Sequence, residues 1–125
     1  MPKKVVLVGH CGPDSSYLRM SVQRAVQDVA ISMADDDRDL AKLIAAGIDL
    51  LLVNRTLDYG FTAEGGAELI KHLRSEHPNL RAMLVSNYPE AQAEAIAAGA
   101  LPGFGKRELS SPRVVQILRE ALNGD

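Results

Sequence analysis

The chain of 125 residues has room for one compact domain (1–125) with its own core, and little for a second. Hydrophobic residues make up 46% of it, the formal net charge is -2 and the sequence pI is about 5.9. Nothing in that balance marks a nucleic-acid or membrane binder, so neither partner is expected, and it excludes no protein partner. Cys11 is the only cysteine, so an internal disulfide is impossible. Met1-Pro2-Lys3-Lys4 leads into apolar residues with no signal-peptide pattern, and the longest apolar runs stop far short of a membrane span. A cytoplasmic domain is expected.

Short apolar runs of β type alternate with helical periodicity five times, the pattern of an α/β sandwich around a parallel sheet. The first strand is predicted over Val5 to Val8, followed by a helix from about Asp14 to Val26 with Leu18, Val22, Ala25 and Val26 on one face. A second strand over Asp28 to Ser32 leads to Asp35-Asp36-Asp37, whose charges suit a helix N-terminus. That helix should bury Leu40, Leu43 and Ile44 and stop at Gly47. The third strand, Asp49 to Val53, precedes a helix carrying Leu69, Ile70 and Leu73 up to His77-Pro78. A fourth strand, Leu80 to Val85, and a short alanine-rich helix from Pro89 to Ala98 follow. A fifth strand, Ala100 to Phe104, completes the sheet. The last helix opens with Ser111 as N-cap and Pro112 in its first turn, and should bury Val115, Leu118 and Leu122. Val5-Val6-Leu7-Val8, Leu50 to Val53 and Met83-Leu84-Val85 are apolar without alternation, as strands covered on both faces must be.

In a parallel sheet wound both ways, chemistry collects beyond the carboxyl ends of the strands. Those ends carry Gly9 and His10, Asn54, Ser86, and Lys106. This set resembles the receiver domain of bacterial response regulators, a chemotaxis-regulator-like, flavodoxin-like (βα)5 fold with strand order 2-1-3-4-5. The resemblance spans the chain and is best at Asp49 to Val53, at Gly66 to Pro78, and at Gly99-Ala100 followed by Lys106.

The resemblance implies a role for each strand end. In such domains an acidic pair after the first strand holds magnesium and an aspartate ending the third strand accepts a phosphoryl group. A Ser or Thr after the fourth strand and a lysine after the fifth bind that group. Here only Ser86 and Lys106 match; Gly9 and His10 stand at the acidic pair and Asn54 at the phosphoacceptor. Phosphorylating a carboxylate needs an anionic nucleophile and a bridging divalent ion, and a carboxamide supplies neither. Glycine gives magnesium no side-chain ligand and histidine is a poor one. No metal, cofactor or catalysis is expected. Lys106, facing a pocket stripped of carboxylates, should reach water or donate to the Asn54 amide oxygen and backbone carbonyls.

Other departures agree. The loop from Arg55 to Gly65 is longer than the family's and lacks its proline, and the stretch between Ser86 and Gly99 is shorter. The family's switch aromatic would fall at Gly103, whereas Phe104 stands one place later and so on the opposite face. Arg107 follows Lys106 where proline is common. Among single residues, His10 beside Cys11 does not read as a metal site, because neighbours on an extended segment point apart. His10 reads as a solvated histidine, with a pH sensor beside Lys106 as the alternative. Asp14 reads as a helix cap and not a surrogate acid, the Asp35 to Asp39 cluster as a solvated helix start, and Asp58 as a loop residue without a designed site.

Three functions are compatible with this reading. The leading one is a pseudo-receiver of two-component-type phosphorelay signalling that works through protein contacts without phosphorylation, as a monomer or a homodimer. By resemblance its interaction face would include Ala91, Ala95, Leu101, Phe104 and Arg113. The first alternative is a small-molecule or anion sensor using the vacated pocket, with Ser86 and Lys106 as donors and His10 and Asn54 as rim. The second is a phosphorylatable regulator with an unusual acceptor.

Overall fold

The computed structural model describes residues 2–57 and 60–123; Asp58 lies outside them. The elements follow in strict alternation: β1 (Lys3–Val8), α1 (Gly12–Ala25), β2 (Val29–Ala34), α2 (Asp37–Ala46), β3 (Leu50–Asn54), α3 (Gly66–Glu76), β4 (Ala82–Val85), α4 (Pro89–Ala97), β5 (Leu101–Phe104) and α5 (Pro112–Asn123). The strands form one parallel sheet in the order β2-β1-β3-β4-β5, as expected. β2 runs two residues further than predicted because it pairs with β1 along its whole length, from Lys3 opposite Val29 to Val8 opposite Ala34.

Strict alternation along β1, β3 and β4 builds two cores from the same apolar runs. Val5, Leu7, Leu50, Leu52, Met83 and Val85 face α1 and α5. Val6, Val8, Leu51, Val53, Ala82 and Leu84 face the side of α2, α3 and α4. Burying residues on both faces is what makes these strands read as continuous apolar sequence.

The helix boundaries have local causes. The Asp36 carboxylate accepts from the Asp39 amide at 2.7 Å and caps α2. Ser111 Oγ accepts from the Val114 amide at 3.4 Å, in keeping with the predicted cap of α5. α1 starts earlier than predicted, with Pro13 in its first turn and Cys11 as a cap that makes no side-chain bond. Asp14 is therefore inside the helix, and the reading of it as the cap is corrected. In α5 the buried valine is Val114, with Val115 half-buried, because Val114 shares the stripe of Leu118, Ala121 and Leu122. In α2 only Leu40 is fully buried; Leu43 and Ile44 pack at the margin of the core.

β5 is irregular. Met83 lies opposite Leu101 and Val85 opposite Phe104, so a step of two residues along β4 is matched by a step of three along β5. The extra residue lets Leu101 and Phe104 face the same core, which regular alternation forbids. Gly103 sits in the bulge, where a Cβ would stand 2.2 Å from the Leu84 carbonyl oxygen. No side chain fits there.

Candidate functional site

A cavity of about 390 Å³ opens beyond the carboxyl ends of β1 and β3. Gly9, His10, Asn54 and Lys106 all line it, so four of the five residues singled out by strand-end position are brought together. Ser86 is not among its lining residues; its side chain is buried and Oγ accepts from the Tyr88 amide at 3.2 Å. Ser86 and Lys106 therefore do not form the donor pair expected of an anion site.

Asn54 ends β3 with its amide turned onto backbone. Nδ2 donates to the Gly9 carbonyl at 3.1 Å and to the Thr56 carbonyl at 3.0 Å. Only an NH2 group can do this, so the side chain is matched to its surroundings as an amide, not as a carboxylate. Gly9 itself has φ +73, a left-handed conformation that favours glycine, and a Cβ there would come within 2.6 Å of the Leu57 side chain. A side chain at this position would strain the backbone and require the Leu57 side chain to shift.

His10 is buried, with 5% of its surface exposed, which corrects the expectation of a solvated imidazole. Nε2 lies 2.8 Å from the Leu52 carbonyl oxygen. A carbonyl accepts only, so Nε2 carries the proton and Nδ1 is the lone-pair nitrogen. Nδ1 is buried and has no hydrogen-bond partner among the described residues. Burial holds the His10 pKa below its usual value of 6.5; the Leu52 carbonyl opposes this and the Lys106 charge adds to it. The group is held neutral.

Lys106 begins a short 3-10 turn, Lys106–Glu108, and its ammonium donates to Asp14 Oδ2 at 2.7 Å. The expectation of a lysine facing a pocket without carboxylates is corrected: Asp14 and Asp35 also line the cavity. The Lys106 hydrogen bond, against the opposing effect of desolvation and with a smaller contribution from the Cys11 thiol, keeps the Asp14 pKa below 3.8. With both groups about a third exposed, the pair contributes about 0–1 kcal/mol. Its chemical consequence is larger. Lys106 is already neutralised, and Asp14 is already spent.

The magnesium ion implied by the resemblance does not fit this donor set. Gly9 offers no side chain, His10 turns its protonated nitrogen to a carbonyl, Asn54 presents its NH2 to backbone oxygens and Asp14 is held by Lys106. Among the described residues no three of His, Cys, Asp and Glu are grouped so as to hold a metal.

One residue that sequence reasoning missed is Gln92 of α4. Its Nε2 donates to the carbonyls of Leu84 at 2.9 Å and Ser86 at 3.1 Å, with a longer contact to Phe104 at 3.4 Å, and Oε1 accepts from the Gly103 amide at 3.2 Å. One amide thus ties together backbone groups of β4, β5 and the segment after β4 at the β5 bulge. Asn87 adds a second tie, its Oδ1 accepting from the Arg107 amide at 3.1 Å. In the expected interaction face, Ala95 and Phe104 are buried at 0% and 1% exposure and offer no side-chain surface, which corrects their assignment. Ala91 and Leu101 are half-buried. Arg113 is exposed, and its guanidinium pairs with Glu108 at 2.6 Å.

No family model and no curated protein matches the sequence. Solved structures do. The signal receiver domain of a DNA-binding response regulator from Colwellia psychrerythraea superposes with a TM-score of 0.75 at 13% identity, over 97% of this chain and 98% of that one. NtrX from Brucella abortus gives 0.76 at 21% identity over 98% of this chain, which spans 28% of NtrX. The beryllofluoride-activated NtrC4 receiver domain, a dimer, gives 0.76 at 16% identity over 96% of each chain. The chain has the receiver fold of two-component response regulators. At these identities the likeness concerns architecture.

Proposed function

We propose that this domain is a pseudo-receiver: a module of two-component-type signalling that acts through protein contacts and neither binds magnesium nor accepts a phosphoryl group. The observation that carries the reading is Asn54, whose NH2 is engaged by the Gly9 and Thr56 carbonyls at the position where the fold would place a nucleophilic carboxylate. Support comes from Gly9, whose left-handed backbone favours glycine over any side chain, and from Gly103, where the bulge leaves no space for the aromatic that moves on activation in phosphorylated receivers. Gln92 holds α4 to β4 and β5 in one arrangement.

The module acts in the cytoplasm of a bacterium. Its contact surface includes Arg113 and the exposed parts of Ala91 and Leu101, together with Ile96, which is 46% exposed on α4. Incubation with magnesium and a small phosphodonor, followed by intact-mass measurement, tests the reading. No added mass is expected. A stoichiometric phosphoryl adduct overturns it.

A further inference from the structure

Away from the strand ends, α2 and α3 flank an open groove of about 620 Å³. Its floor is apolar: Leu40 from α2 and Leu69 and Leu73 from α3 are buried there. The α2 wall is different. Ile44, predicted to be buried, is only half covered, and Ala41 and Ala45 are exposed one turn apart. Two small side chains at that spacing leave a shallow, smooth wall against which another helix can come to about 8–10 Å between axes.

The rim has one sign of fixed charge. Asp37, Glu68 and Glu76 line the groove, and no Lys or Arg does. Glu68 and Glu76 stand two turns apart on α3, with His72 between them and 3.2 Å from Glu76. The Asp37 carboxylate is oriented by the Thr62 amide and hydroxyl, both at 2.8 Å. An apolar floor bordered by fixed carboxylates is complementary to a helix with an apolar stripe and flanking cations. An acidic or unpatterned segment would meet repulsion at the rim or leave the floor uncovered.

We propose that the α2–α3 groove is a docking site for a basic amphipathic helix of a partner protein, a few turns long, with its apolar stripe on Ala41, Ile44 and Ala45 above the buried Leu40, Leu69 and Leu73, and its Lys or Arg side chains on Asp37, Glu68 and Glu76. The dock rests on the contact-module reading above and gives that module a partner chemistry. No residue of α4, β5 or α5 lines it.

The test uses the full chain and a synthetic helical peptide of about fourteen residues, long enough for about 20 Å of helix. The peptide carries a leucine stripe flanked by lysines. A counterpart with glutamate for lysine and a scrambled peptide of the same composition accompany it. Amide NMR should show the basic amphipathic peptide shifting residues of α2 and α3, with the other two at least about tenfold weaker. Ala41→Arg, at an exposed helix position, and Glu76→Lys should each weaken binding by about tenfold, with the rest of the spectrum unchanged. Absence of binding overturns the proposal. Shifts mapping outside α2 and α3, equal binding by the scrambled or acidic peptide, or full binding by both variants overturn it as well. A phosphoryl adduct, measured separately, would instead overturn the pseudo-receiver reading whatever the peptide does.

Discussion

Asn54 is where the account can be challenged by a single atom change. Asn54→Asp replaces a donor by an acceptor opposite two carbonyl oxygens, leaving Gly9 and Thr56 without their hydrogen bonds. A loss of about 1–2 kcal/mol is expected in denaturant unfolding at neutral pH, shrinking as acid protonates the new carboxyl. The variant should remain unphosphorylated with magnesium and phosphodonor, because Gly9 and His10 still provide no acids; phosphorylation by this change alone would contradict the assignment. His10 makes a prediction of its own. Its folded-state pKa lies below 6.5, so the unfolded chain takes up the proton first as pH falls. Stability conferred by neutral burial is fully present above 6.5 and is lost as pH drops toward the lowered folded value. Unfolding midpoints measured between about pH 7.5 and 5 should fall, and the slope should flatten in His10→Gln. An unchanged slope in that variant would remove His10 as the cause. Strand-end reasoning found His10, Asn54 and Lys106, but not what they touch. Asp14 lies 92 residues from Lys106, and nothing local in either segment announces the pair.

Among the elements, β5 and α4 hold most of what was hidden. The order and type of all ten regular elements follow from apolar runs and helical spacing, because those patterns are properties of single segments. Bulges are properties of pairs. The offset between Met83–Val85 and Leu101–Phe104 depends on how β5 registers against β4, and Gln92 makes sense only once that register has set Leu84, Ser86 and Gly103 around it. In an alanine-rich helix it reads as one more solvated polar residue. Gln92→Ala should cost about 1–3 kcal/mol, since it strands partly buried carbonyls of Leu84 and Ser86 and the Gly103 amide. Hydrogen exchange at Gly103 should accelerate by more than the global loss of stability explains. Exchange unchanged relative to the rest of β5 would show that the amide does not clamp this corner.

On the scale of the whole molecule, the fold is that of receivers, and on the pseudo-receiver reading the strand ends of β1 and β3 are occupied otherwise than in a phosphate-accepting switch. The two cores are complete, the strand order is that of receivers, and the cavity beyond the strand ends persists at about 390 Å³. Of the charged groups in its lining, Lys106 and Asp14 are paired with each other, and Asp35 is the second carboxylate. That glycine and asparagine stand at 9 and 54 was legible from the sequence. That Gly9 has a left-handed backbone and that the Asn54 amide meets two carbonyls needed coordinates, since the second of those carbonyls is that of Thr56, in the loop that follows.

Amide NMR of the full chain titrated with magnesium and beryllofluoride tests the central claim most directly, because the anion mimics a phosphoryl group only where a carboxylate and a divalent ion can both hold it. The account predicts that Gly9, His10, Asn54 and Lys106 keep their positions and that fluorine NMR shows free beryllofluoride alone. Saturable shifts at those residues with a stoichiometric bound fluorine signal would contradict it.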